Sequence, residues 1–195
     1  MVAPSASTEI VHQGHFAGKM TFTPMMGMIS SNYLFREAPS PAEAYYSAWF
    51  YVPSTLNVET WLSIIHFRGS PTGDGRNVFP TWDVNLRIQP DGNLAAQIYN
   101  FVTQVNTPQA PPVFFPRDRW VHFEFLLRKT TDASGRVALW QDDVLILDLP
   151  GVATVQNGWF QWNIGGSSGS VDPLPGVMYV DDAAISLDRL GAAPI

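Results

Sequence analysis

Residues 120–149 read WVHFEFLLRKTTDASGRVALWQDDVLILDL, and the period of this stretch decides the fold class. Val121, Phe123, Phe125 and Leu127 share one parity, while Trp120, His122, Glu124, Leu126 and Arg128 share the other. That alternation belongs to a half-buried strand, not to a helix. A turn-rich interruption at Thr131-Asp132-Ala133-Ser134-Gly135 follows, then Arg136 to Gln141, a tight reversal at Asp142-Asp143, and Val144 to Leu149. The reading is three antiparallel strands. Asp tolerates positive φ better than most residues but less well than Gly, so Asp142-Asp143 marks a hairpin without fixing its turn type.

Working outward, 195 residues suffice for one all-β domain with a sizeable core. Residues 10–195 are read as that domain and the small, polar residues 1–9 as a flexible arm. Hydrophobic residues make up 46%, aromatics 13% and charged residues 14% of a chain with seven Trp. That is a globular composition with more rings than a core alone accounts for, which directs attention to a ring-lined binding surface. A net charge of −6 with 11 scattered Lys and Arg argues against nucleic acid as a partner. The absence of Cys removes disulfides, thiolate nucleophiles and Cys-ligated zinc together. No apolar run reaches the ~18 residues of a membrane span. The start MVAPSAS has no charged stretch followed by an apolar one. The expectation is a monomer without a membrane span, secreted or periplasmic, read as a mature chain from which a signal has been removed.

Ile10 to Phe22 is consistent with an edge strand, a Gly-containing turn and a return strand Lys19 to Thr23, while Met25, Met26 and Met28 read as plastic filling. Asn32 to Arg36 is a short strand closed by a Pro-rich loop. In Tyr45 to Val52 one parity holds Tyr46, Ala48, Phe50 and Val52, and the other holds Tyr45, Ser47, Trp49 and Tyr51. This second face offers rings to the C–H faces of sugars together with polar edges. Trp61 to Arg68 is a mostly apolar strand ending in His66 and Arg68. Trp82, Val84, Leu86 and Ile88 point inward, leaving Asp83, Asn85 and Arg87 as an outward polar row. Gln89-Pro90-Asp91-Gly92 turns this strand into Leu94 to Asn100, so Gln97 and Tyr99 join the row across the hairpin. Residues 103–118 form a long irregular crossing, of a length often used for lids. Trp159 to Ile164 alternates again, a flexible loop runs over 165–175, and Val177 to Leu187 is the last strand. Short strands at regular spacing with no convincing helix predict an antiparallel β-sandwich.

The segments WVHFEFLLRK, GRVALWQDDVLILDL, the Trp-rich strand at 159–164 and YVDDAAIS, with YYSAWFYVP and WLSIIHFRG, resemble the concanavalin A-like lectin and glucanase superfamily. Within it the chain is most similar to the small jelly-roll polysaccharide lyases of the alginate and glucuronan type and their bacterial relatives. The resemblance implies two antiparallel sheets, one of them curved, with a concave face that holds an extended poly- or oligosaccharide. On that face the parities place Tyr45, Trp49, Tyr51, Asp83, Asn85, Arg87, Gln97, Tyr99, His122 and Glu124, with Arg36 and Arg68 as further substrate contacts. WLSIIHFRG is similar to the alginate-lyase strand that carries Gln-Ile-His, with Ile64 in place of the Gln. The superfamily also implies a structural calcium, for which Asp181 and Asp182 are the candidates; no cofactor is required.

Three activities use this set differently. A lyase needs a group that neutralises the uronate carboxylate, a base for the C5 proton and an acid for the leaving oxygen. Arg87, Asn85 and Gln97 suit the first, His66 or His122 the second, and Tyr99 the third or, as a combined acid and base, the last two together. A non-catalytic carbohydrate-binding module uses the same rings and amides without a poised base. A retaining hydrolase needs two carboxylates about 5 Å apart, and without a Glu-x-Asp-x-x-Glu run the pair would have to be Glu124 with Asp83.

Overall fold

The computed structural model describes residues 3–23, 30–37, 41–70, 78–154 and 160–192. The expectations for Met25, Met26, Met28 and Trp159 lie outside these residues. All regular structure among the described residues is β. The first sheet runs β1 (Ser5–Ser7), β2 (Ala17–Phe22), β16 (Gly176–Ser186), β4 (Glu43–Tyr51), β11 (Trp120–Arg128), β12 (Gly135–Gln141), β13 (Val144–Val152). The second runs β10 (Phe114–Phe115), β8 (Leu94–Asn100), β7 (Phe79–Ile88), β6 (Trp61–Gly69), β14 (Phe160–Ser168), β3 (Ser30–Glu37), with β9 (Val105–Pro108) also on β8. β5 (Asn57–Val58) and β15 (Val171–Asp172) form a small clasp. The result is the expected antiparallel jelly-roll sandwich.

The core lies between the inward parities. Val121, Phe123, Phe125 and Leu127 of β11 meet Leu62, Ile65 and Phe67 of β6 and Trp82, Val84 and Leu86 of β7 in one cluster. The Phe67 and Phe125 ring centroids are 4.7 Å apart, joining the sheets. Burying one such ring contributes about 1.5–3 kcal/mol. Trp82 keeps its indole N–H satisfied by donating to the Thr154 carbonyl at 2.8 Å.

The β12–β13 turn has Asp142 at φ 46° and Asp143 at φ 68°, which is a type I′ reversal. Side-chain bonds favour Asp there. The Asp142 carboxylate accepts from His122 N at 2.9 Å and Arg119 Nη2 at 2.7 Å, while Asp143 Oδ1 accepts from Arg189 Nη2 at 3.0 Å.

Three segments differ from expectation. Residues 5–7 of the expected arm form β1, pairing Ser5 with Lys19 and Ser7 with Ala17. The crossing at 103–118 contains β9 and β10, both of which extend the second sheet. Within the expected loop at 165–175, β14 continues to Ser168 and β15 follows. In each case cross-strand bonds satisfy backbone groups in a segment whose own side chains give no periodic signal.

Candidate active site

The outward parity of the second sheet forms a continuous polar floor. Asn163 of β14 is opposite His66, His66 is opposite Asp83, Asp83 is opposite Tyr99, and Tyr99 is opposite Asn106. Beside this row run Ser63, Asn85 and Gln97, and then Trp61 and Arg87. A register shift between Ser63 and Ile65 inserts Ile64 as an extra residue in β6. That bulge puts Trp61, Ser63 and His66 on one face although 63 and 66 have opposite parity. Trp61 and Phe101 flank a cleft of about 310 Å³ over Asp83, Asn85, Arg87 and Gln97.

At the middle of the floor His66 Nδ1 is 2.9 Å from Asp83 Oδ1, and Ser63 Oγ donates to Asp83 Oδ2 at 3.1 Å. An ionised carboxylate only accepts, so a ring proton faces it from Nδ1, and in the neutral imidazole the lone pair is then on Nε2. Nε2 is buried and has no partner among the described residues, and the same is true of Asn85 Oδ1. Buried polar atoms without partners are uncommon in folded chains and mark capacity for a ligand or water. On the other flank of His66 the Tyr33 ring approaches edge-on, with centroids 4.5 Å apart. Gln97 Nε2 donates to Asn106 Oδ1 at 2.9 Å, and Tyr99 Oη donates to Gln104 Oε1 at 2.6 Å. Toward the other end Arg68 is opposite Gln161, whose Nε2 donates to Glu37 Oε1 at 2.5 Å.

A family model for polysaccharide lyases matches residues 3–166. The chain belongs to the polysaccharide lyase family. Among solved structures it is similar to the endo-β-1,4-glucuronan lyase from the fungus Trichoderma reesei, at TM-score 0.69 and 16% identity over 94% of this chain and 86% of that one. It is also similar to the cellulose-induced protein Cip1, at TM-score 0.65 and 16% identity over 97% and 88%. A third similar structure is the alginate lyase vAL-1 from Chlorella virus, at TM-score 0.60 and 11% identity over 94% and 89%. No curated protein matches the chain by sequence. At these identities the structures speak for the fold.

The lyase does not gather the expected site on one face. Tyr45, Trp49, Tyr51, His122 and Glu124 lie on β4 and β11 of the first sheet, on the opposite outside of the sandwich from Asp83, Asn85, Arg87, Gln97 and Tyr99. The ends of the chain pack over this first-sheet face. His12 stacks on Trp49 at 3.9 Å, and the Arg189 guanidinium lies 4.6 Å over the Trp140 ring. Glu124, fully buried, accepts from Arg189 Nε at 2.8 Å and from Leu190 N at 2.7 Å. Glu124 therefore cannot pair with Asp83 for hydrolysis, because the core separates them. His122 is likewise buried, and that burial pushes its pKa down.

Arg36 is opposite the inward-facing Trp162, so its neighbour Glu37, not Arg36, shares the floor with Gln161. Asp181 Oδ2 accepts from the amides of His12 and Gln13 at 2.9 and 3.4 Å, and Asp182 Oδ2 meets His12 Nδ1 at 2.6 Å. Two carboxylates committed to the N-terminal segment do not fit a calcium site. No group of three or more His, Cys, Asp or Glu among the described residues gathers as a metal cluster. Tyr33, Trp61, Phe101, Asn106 and Asn163 were missed. For Asn163 the parity was legible in the sequence; the pairing of β14 with β6 was not.

Proposed function

We propose that this polysaccharide lyase cleaves a uronic-acid polymer by β-elimination in the cleft of the second sheet, with His66 as the base. The observation that carries the reading is the polarised imidazole: Nδ1 held by Asp83 at 2.9 Å, Nε2 buried, unpartnered and on the outward face. A neutral imidazole with its lone pair free is the form that can take the C5 proton. That proton is acidic enough only when the adjacent carboxylate is neutralised, because the developing charge spreads onto it. Arg87 brings the cation, and Asn85 and Gln97 bring hydrogen-bonding capacity one strand apart. Trp61 and Phe101 offer flat apolar walls to sugar rings.

The substrate class follows from the same floor. Arg87 and Arg68 supply positive charge locally in a chain of net charge −6, and local placement outweighs the total in attracting an anion. The glucuronan and alginate lyases among the similar structures are named for polymers of this kind. These steps use side chains alone and call for no cofactor. No helix among the described residues is long and apolar enough to cross a membrane, and a bulky polymer is met outside the cytoplasm, which supports the secreted or periplasmic expectation.

The test is incubation with a panel of polyuronates while following the absorbance of the unsaturated ends that elimination creates. The reading predicts a rising signal with at least one polymer and its loss in His66→Ala. A flat trace with every polymer contradicts it.

A further inference from the structure

We propose that Tyr33 is the proton donor of this elimination, an inference that rests on the assignment of His66 as base. The two groups act on adjacent atoms of one sugar: the base takes the proton from C5, and the acid protonates the oxygen leaving C4. Donor and base must therefore converge beside a single ring.

Two tyrosines are placed to be considered, each two strands from His66, a backbone separation of about 10 Å. On one side β7 intervenes, and its Asp83 fills the space between His66 and Tyr99 with the bond to Nδ1. Tyr99 Oη spends its one proton on Gln104 Oε1, and its ring leans on Phe101 at 4.6 Å. On the other side β14 intervenes, and the residue opposite Tyr33 is Gly165. With no side chain there, the Tyr33 ring reaches across to His66 at 4.5 Å. A Cβ on Gly165 would lie 2.3 Å from Asn32 O and 3.0 Å from Tyr33 Cα, so the glycine is required for the close pairing of β14 with β3 at this point.

Ser167 and Ser31, whose Oγ atoms are 2.9 Å apart, lie by the Tyr33 hydroxyl and favour its ionised form. Burial pushes its pKa above the ordinary tyrosine value, outweighing the two serines, so it enters the reaction protonated. In the step itself His66 Nε2 takes the C5 proton, the C5–H electron pair forms the C4=C5 double bond, and the C4–O bond breaks. The leaving oxygen takes the Tyr33 proton as a new hydroxyl. Tyr33 phenolate and His66 imidazolium then exchange one proton with solvent or through the paired serines, restoring both.

The experiment compares wild type, Tyr33→Phe and Tyr99→Phe on two substrates. One is a polyuronate that the wild type cleaves, and the other is a synthetic uronate carrying 4-nitrophenol at C4, whose departure needs no proton. Phe retains the ring against His66 and removes only the hydroxyl. Tyr33→Phe is expected to lower kcat on the polymer by about 10²–10⁴-fold, and to lower it by less than about tenfold on the aryl substrate. Tyr99→Phe, a cleft-wall change, is expected to weaken both substrates by similar factors. An equal loss of Tyr33→Phe on both substrates, polymer activity within about threefold of wild type, or the leaving-group pattern appearing in Tyr99→Phe would overturn the inference. In those cases the lyase reading stands if His66→Ala is inactive. A wild type that eliminates no polyuronate overturns the reading and the inference together.

Discussion

His66 Nδ1 lies 2.9 Å from Asp83 Oδ1 across the β6–β7 pair, both residues facing outward and less than a tenth exposed. The contact holds one ring nitrogen and leaves the other, on the same outward face, without a partner among the described residues. Asp83→Asn is expected to keep the fold and lower kcat by about 10²–10⁴-fold, with KM changed far less, because an amide can donate to Nδ1 and favour the wrong tautomer. Nitrogen NMR of the imidazole checks the cause: wild type protonated on Nδ1, the variant on Nε2.

Arg87 is the cation over the cleft beside Asn85 and Gln97. Arg87→Gln is expected to lower kcat/KM on a polyuronate by about 10²-fold, close to 2.7 kcal/mol of transition-state stabilisation. Initial rates across a substrate series provide the measurement, and an unchanged kcat/KM would remove Arg87 from the carboxylate site.

His122 makes the stability of the lyase sensitive to acid. Its pKa is pushed down first by burial, with Glu124, Asp143 and Asp142 opposing and Arg189 adding. The folded pKa is then below the unfolded value of about 6.5, so the unfolded chain binds the proton more readily. Neutral His122 contributes stability in full above about pH 6.5, and that contribution is lost as pH falls through the folded pKa. Melting temperatures between about pH 7 and pH 5 should fall less steeply in His122→Gln than in wild type.

Much of the fold was legible in residues 120–149. The parity of Phe123 and Phe125 follows from a period of 2, as does the outward Asp83, Asn85, Arg87 row of another hairpin, and the Asp142-Asp143 reversal follows from turn chemistry. The site was legible only within each hairpin. Gln97 and Tyr99 join Asp83 because Gln89-Pro90-Asp91-Gly92 makes them neighbours in sequence. Whether His122 and Trp49 share that face depends on which strands pair over long separations, and no local pattern specifies that. The bulge at Ile64 hid the common face of Ser63 and His66, since it breaks the period on which the reading depends.

The C-terminal segment is held by Arg189, which bridges Glu124 at 2.8 Å and Asp143 at 3.0 Å. Arg189→Ala leaves the buried Glu124 carboxylate with the Leu190 amide as its partner among the described residues, and is expected to cost about 2 kcal/mol. Urea unfolding measures the loss. Activity at temperatures where the variant stays folded should match wild type, because this face lies across the core from the cleft.

The central claim is that the chemistry belongs to the outer face of the second sheet and not to that of the first. Its most direct test is the initial rate of unsaturated-end formation on one polyuronate by wild type, His66→Ala and His122→Gln. The expected result is a loss of at least about 10³-fold in His66→Ala and a rate within about threefold of wild type in His122→Gln. The reverse order, with His122→Gln inactive and His66→Ala active, would contradict the account.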